Sequence, residues 1–165
     1  MASEPAQGDP APLFTLPDQD GTVRTLEEFR GSYLILYFYP KDNTTGCTAE
    51  ALAFSAVYEE LKEGGVPVLG ISPDNVQSHR RFIDKHGLQL TLLSDTEHSV
   101  IETYGAWTLK KMYGREYYGV ERSTFIIDPR GVVAAVWRKV KVKGHAPEVI
   151  ARLKQLTTGS LAGSG

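Results

Sequence analysis

The sequence predicts an α/β domain with a mixed central β-sheet flanked by helices. Short apolar runs of strand character alternate with stretches of helical periodicity. Two of the runs, at 34–39 (LILYFY) and 66–71, are almost continuously apolar, as central strands covered on both faces must be. A DPRG turn at 128–131 joins two later runs into an antiparallel hairpin, so the sheet cannot be purely parallel.

Each element follows from a local signal. Strands are expected at 14–16 (FTL), 34–39, 66–72 (VPVLGIS), 91–95 (TLLSD), 123–128 (STFIID) and 132–137 (VVAAVW). A helix over 47–63 opens at Cys47, because Ala51, Phe54, Tyr58 and Leu61 step by threes and fours onto one face. A second runs from Asn75 to His86 and is closed by Gly87. A third lies near Glu97 to Tyr104, before Gly105. The last spans about Pro147 to Leu156, with Pro147 in its first turn and Val149, Ile150, Leu153 and Leu156 as its apolar face. Residues 1–10 read as a loose lead-in, 11–157 as a single domain and 158–165 as a flexible tail, small and polar in composition. GAWTLKKMYGRE reads as a loop whose Trp107 and Met112 line a pocket or a subunit contact. Tyr37, Tyr39, Tyr117 and Tyr118 read as core or rim packing, and WRKVKVKGH as the solvated face of a strand end.

Composition narrows the function classes. Hydrophobic residues make up 41% and charged residues 23%, an ordinary globular balance. The net charge of −2 offers no basic excess for nucleic acid or an anionic membrane. One cysteine cannot form an internal disulfide, the start MASEPAQGDPAP lacks a signal-peptide pattern, and no apolar run reaches membrane-spanning length. A cytoplasmic protein is the expectation. The four histidines show no short metal-ligand spacing, and His79 and His86 read as surface residues of one helix face.

The single thiol, Cys47, sits at a strand-to-helix turn, where unpaired backbone N–H groups and the helix dipole favour negative charge. Thiolate is the reactive species, but ionisation alone achieves little. A thiol of ordinary pKa is already roughly 3% ionised at pH 7, so full ionisation gains about thirtyfold. A fast reaction needs donors that stabilise the charge developing on the group attacked. The turn supplies them. Thr44 carries a hydroxyl that can both accept from a backbone N–H and donate beside the sulfur, and Gly46 and Cys47 offer backbone N–H groups. Pro40 restricts the turn and screens one side from water. Glu50, one helical turn after the cysteine, can orient an arginine, and the cation itself is Lys41 or an arginine brought in by the fold.

The stretch PKDNTTGC matches the Pro-x-x-x-Thr-x-x-Cys signature of the peroxiredoxins. With YFYPKDNTTGCTAEA and YGVERSTFIIDPRG in context, the chain resembles their bacterioferritin-comigratory protein, or peroxiredoxin Q, branch from APLFTLPDQDG to WRKVKVKGHAPEV. The resemblance implies a thioredoxin-like fold with an N-terminal extension of short strands, no cofactor and no metal. It implies that Cys47 attacks a hydroperoxide and becomes a sulfenic acid, that Thr44 positions the peroxide, that Pro40 screens the pocket and that Arg122 stabilises the thiolate and polarises both oxygens. In members of this branch that resolve the sulfenic acid internally, the second cysteine commonly sits at the position that here is Leu52, or else at that of Ile83. Neither is a thiol, so an external thiol (thioredoxin, glutaredoxin, glutathione or similar) is the expected reductant, and a monomer or weak homodimer the expected state. The alternative is a peroxide sensor that signals through oxidised Cys47 without turnover.

Overall fold

The computed structural model describes residues 4–164, with side chains through Thr158. A five-stranded sheet in the order β5-β4-β3-β8-β9 forms its centre. Its strands are β3 (Leu34–Phe38), β4 (Val68–Ser72), β5 (Thr91–Ser94), β8 (Ser123–Ile127) and β9 (Val133–Trp137). β3 runs parallel to β4 and antiparallel to β8, so the sheet is mixed as expected. All five residues of β3, β4 and β8 are buried, which is why those segments read as unbroken apolar runs.

Two cores lie on the two faces. The pleat sends Ile35, Tyr37 and Tyr39 to one side, against Cys47, Ala51 and Phe54 of α1 (Thr45–Ala56) and Val149, Ile150 and Leu153 of α5 (His145–Ser164). Leu34, Leu36 and Phe38 face the other side and pack with Phe14, Tyr104, Ala106 and Phe125. The helix α3 (Val76–His86) has Asn75 at its N-cap, whose side chain accepts from the Ser78 N–H at 2.8 Å, and Gly87 ends it at φ +61°. α4 is short, Ser99–Thr103. No helix among the described residues is long and apolar enough to cross a membrane.

Several expectations need correction. The helix expected over 47–63 begins two residues earlier and is broken: α1 ends at Ala56 and α2 covers Tyr58–Glu63. At the break the Val57 N–H bonds the Phe54 carbonyl, a tightened turn at a β-branched residue. The segment read as a loop around Trp107 and Met112 is a hairpin, β6 (Trp107–Met112) with β7 (Arg115–Val120). Its two-residue turn, Tyr113 and Gly114, has φ of +53° and +76°, the primed geometry that Asn-Gly would have announced. Tyr117 and Tyr118, expected to pack, are exposed on this hairpin.

Near the N-terminus, β1 (Thr15–Pro17) pairs with β2 (Val23–Thr25), a strand without apolar alternation. The lead-in is not loose: Pro5 is buried with its carbonyl bonded by Arg138, and Gly8, Asp9 and Ala11 exchange backbone bonds with Val133 of β9 and Gly131 before it, while residues 1–3 lie outside the described residues. At the other end the helix continues to Ser164 with no proline to stop it; residue 165 and the side chains from 159 lie outside the described residues. Arg138 is no solvated strand end. It donates to the carbonyls of Tyr104 and Pro5 and lies over the Phe125 ring.

Candidate active site

β3 ends beneath α1, and the chain turns through Tyr39 to Thr44 before the helix begins. Asn43 makes the reversal possible at φ +61°, a left-handed conformation that asparagine tolerates better than most residues. Thr44 is the N-cap in extended geometry, and its carbonyl accepts the first helical bond, from Thr48 at 2.8 Å. Cys47 is therefore the third helical residue. Its N–H and those of Thr45 and Gly46 belong to the first turn, which has no acceptors within the helix. The side chain turns inward and the residue is 2% exposed.

The cation that meets this sulfur comes from the far side of the sequence. Arg122 precedes β8, next to β3 in the sheet, so antiparallel pairing brings it to the mouth of the β3–α1 turn. One arm of the guanidinium donates to Cys47 Sγ at 3.4 Å, the other to Glu50 Oε1 at 2.5 Å. Gly46 supplies the room: a Cβ there would stand 3.3 Å from Arg122 Nη2. Cys47, Gly46, Glu50 and Arg122 thus form one contiguous group, with Arg122 rather than Lys41 as the cation.

Burial shapes the electrostatics. It pushes the Glu50 carboxyl up to about 7, against the pull of Arg122. Arginine stays charged throughout, so the proton equilibrium of the pair falls on the carboxylate. Glu50 Oε2 and the Tyr37 hydroxyl are buried and have no hydrogen-bond partner among the described residues. Burial, then the nearby Glu50 and Cys47, raises the Tyr37 phenol well above its ordinary range, so it stays a neutral O–H under the site.

The structure moves some expected roles and adds others. The Thr44 hydroxyl makes no helix cap. It donates to the Lys41 carbonyl at 2.8 Å, which leaves its lone pairs, not its hydrogen, for a ligand. Pro40 is half-buried, two residues beyond the end of β3. Leu52 is exposed on the outer face of α1, whereas Ile83 is packed into the core. Lys110, on the hairpin that was read as a loop, lies close enough to Arg122 and Cys47 to feel their charges. Burial first, and then Arg122, lowers its pKa. No sequence signal marks that residue.

His79, expected on the surface, is fully buried. The signal was present, since it lies three and four residues before Phe82 and Ile83 and shares their inward face. Its ring, Asp42 and Asp74 offer ligand atoms within 4.8 Å of one another. Those atoms already bond each other and their neighbours: Asp42 Oδ2 is 2.7 Å from His79 Nδ1, and Asp74 Oδ2 accepts from the Asp42 N–H and the Ser72 hydroxyl. A cation would have to displace these bonds.

Known proteins resemble this chain in sequence and fold. The model of the AhpC/TSA family matches residues 7–136. The chain belongs to that family. It is 51% identical over 146 residues to the putative peroxiredoxin Bcp of Coxiella burnetii, covering 88% of this chain and 97% of the relative. It is 44% identical over 150 residues to peroxiredoxin Bcp of Bacillus subtilis, covering 91% and 96%. Among solved structures, the Xanthomonas campestris bacterioferritin comigratory protein superposes with a TM-score of 0.83 at 43% identity, covering 86% of this chain and 90% of that one. Peroxiredoxin Q of Xylella fastidiosa gives 0.89 at 36% identity, covering 94% and 99%. This chain is thus a peroxiredoxin of the Bcp/peroxiredoxin Q branch with the thioredoxin-like fold, and a thiol-dependent peroxidase.

Proposed function

We propose that this peroxiredoxin reduces hydrogen peroxide and small organic hydroperoxides through a sulfenic acid on Cys47 and is recycled by thiols from outside the chain. The Arg122 guanidinium, 3.4 Å from Sγ and pinned by Glu50, is the observation that carries this reading.

In the first half-reaction the Cys47 thiolate attacks the terminal oxygen of R–O–O–H. A new S–O bond forms as the O–O bond breaks; sulfur gives up two electrons and the R–O⁻ leaving group takes a proton to become R–OH. Arg122 supplies positive charge where the leaving oxygen becomes negative, and the free N–H groups of the first helical turn face the same region. Thr44 Oγ1, its hydrogen engaged by Lys41, accepts from the hydroperoxide O–H and so orients the attacked oxygen. Pro40 lacks an N–H and screens the flank.

In the second half-reaction an external thiol displaces the sulfenic oxygen as water and leaves a mixed disulfide, which a second thiol cleaves to restore Cys47 and release the oxidised donor. The chain has no second cysteine to do this internally. Thioredoxin, glutaredoxin with glutathione, or a related thiol is the donor class. The Xanthomonas relative is described in terms of alkyl peroxide reduction and trapped intermediates, which supports an organic hydroperoxide as one substrate.

The test is intact-mass analysis after one equivalent of peroxide, then exposure to a panel of thiols. The reading requires a species one oxygen heavier that a thiol returns to the starting mass, with turnover abolished in Cys47→Ser. Stoichiometric oxidation without turnover under every donor overturns it in favour of a sensor.

A further inference from the structure

One cation beside the reactive sulfur has no part in the chemistry above. Lys110, on β6, is half-buried. A Cβ at Gly119 would stand 3.5 Å from its Cδ and 3.6 Å from its Cε, so the stem lies along the one residue of β7 that has no side chain, three positions before Arg122. Burial and Arg122 oppose its charge, while Glu121 and Cys47 favour it. The neighbouring Lys111 pairs with Glu116 at 3.5 Å, whereas Lys110 forms no ion pair among the described residues.

Other lysines come to the same rim from separate segments. The Val140 N–H donates to the Arg122 carbonyl at 3.0 Å, which sets the exposed Lys139 and Lys141 on either side of that contact. Lys41, also exposed, lies in the turn before Thr44, and its carbonyl accepts the Thr44 hydroxyl. Glu121 offsets one of these charges, but the other nearby carboxylates are engaged. Arg122 holds Glu50, the Tyr39 and Ser78 hydroxyls donate to Asp42, and the Asp42 N–H and Ser72 hydroxyl donate to Asp74. In a chain of net charge −2, the mouth of the cysteine site is positive.

Such a rim acts unequally on the two half-reactions. The hydroperoxide arrives neutral, but the reductant reacts as a thiolate, and a positive mouth concentrates anions. The donor sulfur bonds to Cys47 Sγ as the S–O bond breaks; hydroxide leaves and takes a proton to become water, the donor sulfur being oxidised and Sγ reduced. A carboxylate on the donor adds a second charge to that attraction. A cation that burial has partly stripped of water gains more from an anion than an exposed one does. With Cys47 2% exposed, a slender thiol suits this mouth better than the surface of a folded protein.

We propose that Lys110, flanked by Arg122 and the Lys139–Lys141 segment, binds the carboxylate of the external reductant and so makes small carboxylate-bearing thiols the preferred donor class. The proposal rests on the peroxidase reading for its substrate, but the binding site itself is measurable without peroxide.

The test reduces the preformed sulfenic acid with three thiols of different charge: 3-mercaptopropionate, 2-mercaptoethanol and cysteamine, each rate expressed per thiolate. The wild type ranks them in that order, and the spread narrows as ionic strength rises. In Lys110→Gln the ratio of the mercaptopropionate rate to the mercaptoethanol rate falls about threefold to fivefold, the range of one partly screened charge pair, and Lys110→Arg restores it. A ratio cancels any general effect of the substitution on Cys47, so a merely structural role leaves it unmoved. In a parallel series without peroxide, reduced Cys47 attacks dithiodipropionate, hydroxyethyl disulfide and cystamine, and the corresponding ratio falls in the same variant.

An unmoved ratio in the thiol series overturns the carboxylate site. So does a variant that alters only the preference between monoperoxysuccinate and hydrogen peroxide, which assigns the cation to the oxidant. If peroxide never yields a sulfenic acid while the disulfide ratio responds, the peroxidase reading fails and the site stands. If peroxide is turned over and neither ratio moves, the site fails alone.

Discussion

Glu50→Gln tests how burial and charge are balanced beside the reactive sulfur. The Glu50 carboxyl is pushed up to about 7 in the folded protein, from an ordinary value of 4.5, by burial that outweighs Arg122. Below pH 4.5 both folded and unfolded chains hold the proton, and the group contributes nothing to the pH dependence of stability. Between 4.5 and 7 the unfolded chain releases it while the folded chain keeps it, so stability falls as pH rises. Above 7 the loss is complete, about 3 kcal/mol for such a shift. Glutamine keeps the shape and does not titrate. Relative to wild type, Glu50→Gln therefore gains about 2–3 kcal/mol of stability between pH 5 and pH 8, a relative shift of about 1 M in urea midpoint. Urea titrations of both proteins at several pH values measure this directly, because the other ionisable groups are common to the two. A gap that stays constant with pH refutes the reasoning. A gap that moves the other way would show that the ion pair with Arg122 outweighs the cost of burying the charge.

Arg122→Met removes the charge 3.4 Å from Sγ while keeping a long apolar side chain; the second-order rate of oxidation by peroxide is expected to fall about 100-fold to 1000-fold in stopped-flow measurements. Gly46→Ala places a methyl 3.3 Å from Nη2 of a guanidinium held on its other side by Glu50. Thermal unfolding should move little, yet peroxide oxidation should slow roughly fivefold to tenfold, as expected when a reacting geometry shifts by a few tenths of an ångström. Gly70→Ala is the opposite case. Its Cβ would meet Leu92 Cδ2 at 2.8 Å and Tyr37 Cζ at 2.9 Å, so chemical denaturation should show a loss of about 1–3 kcal/mol.

What the sequence by itself determined is whatever depends on neighbours along the chain. Helical stripes, the Asn75 cap and Gly87 stop, the apolar runs of β3 and β4 and the DPRG hairpin are local preferences, and they placed Cys47 in a first helical turn after a strand. Pro40, Thr44 and Gly46 were legible for the same reason, being within seven residues of the sulfur. The arginine was legible only through resemblance, because its approach depends on β8 lying beside β3, seventy-five residues away. Tertiary structure alone decided the rest. The hairpin of β6 and β7 is recognisable only once its register is known, since neither strand has a steady apolar alternation. Arg138 and His79 carry polar side chains that solvent or the interior could equally have claimed; the carbonyls of Tyr104 and Pro5, and the carboxylate of Asp42, settled where each went. The proton affinity of Glu50 belongs here too, for a carboxyl group departs from its ordinary value only when the fold has taken away its water.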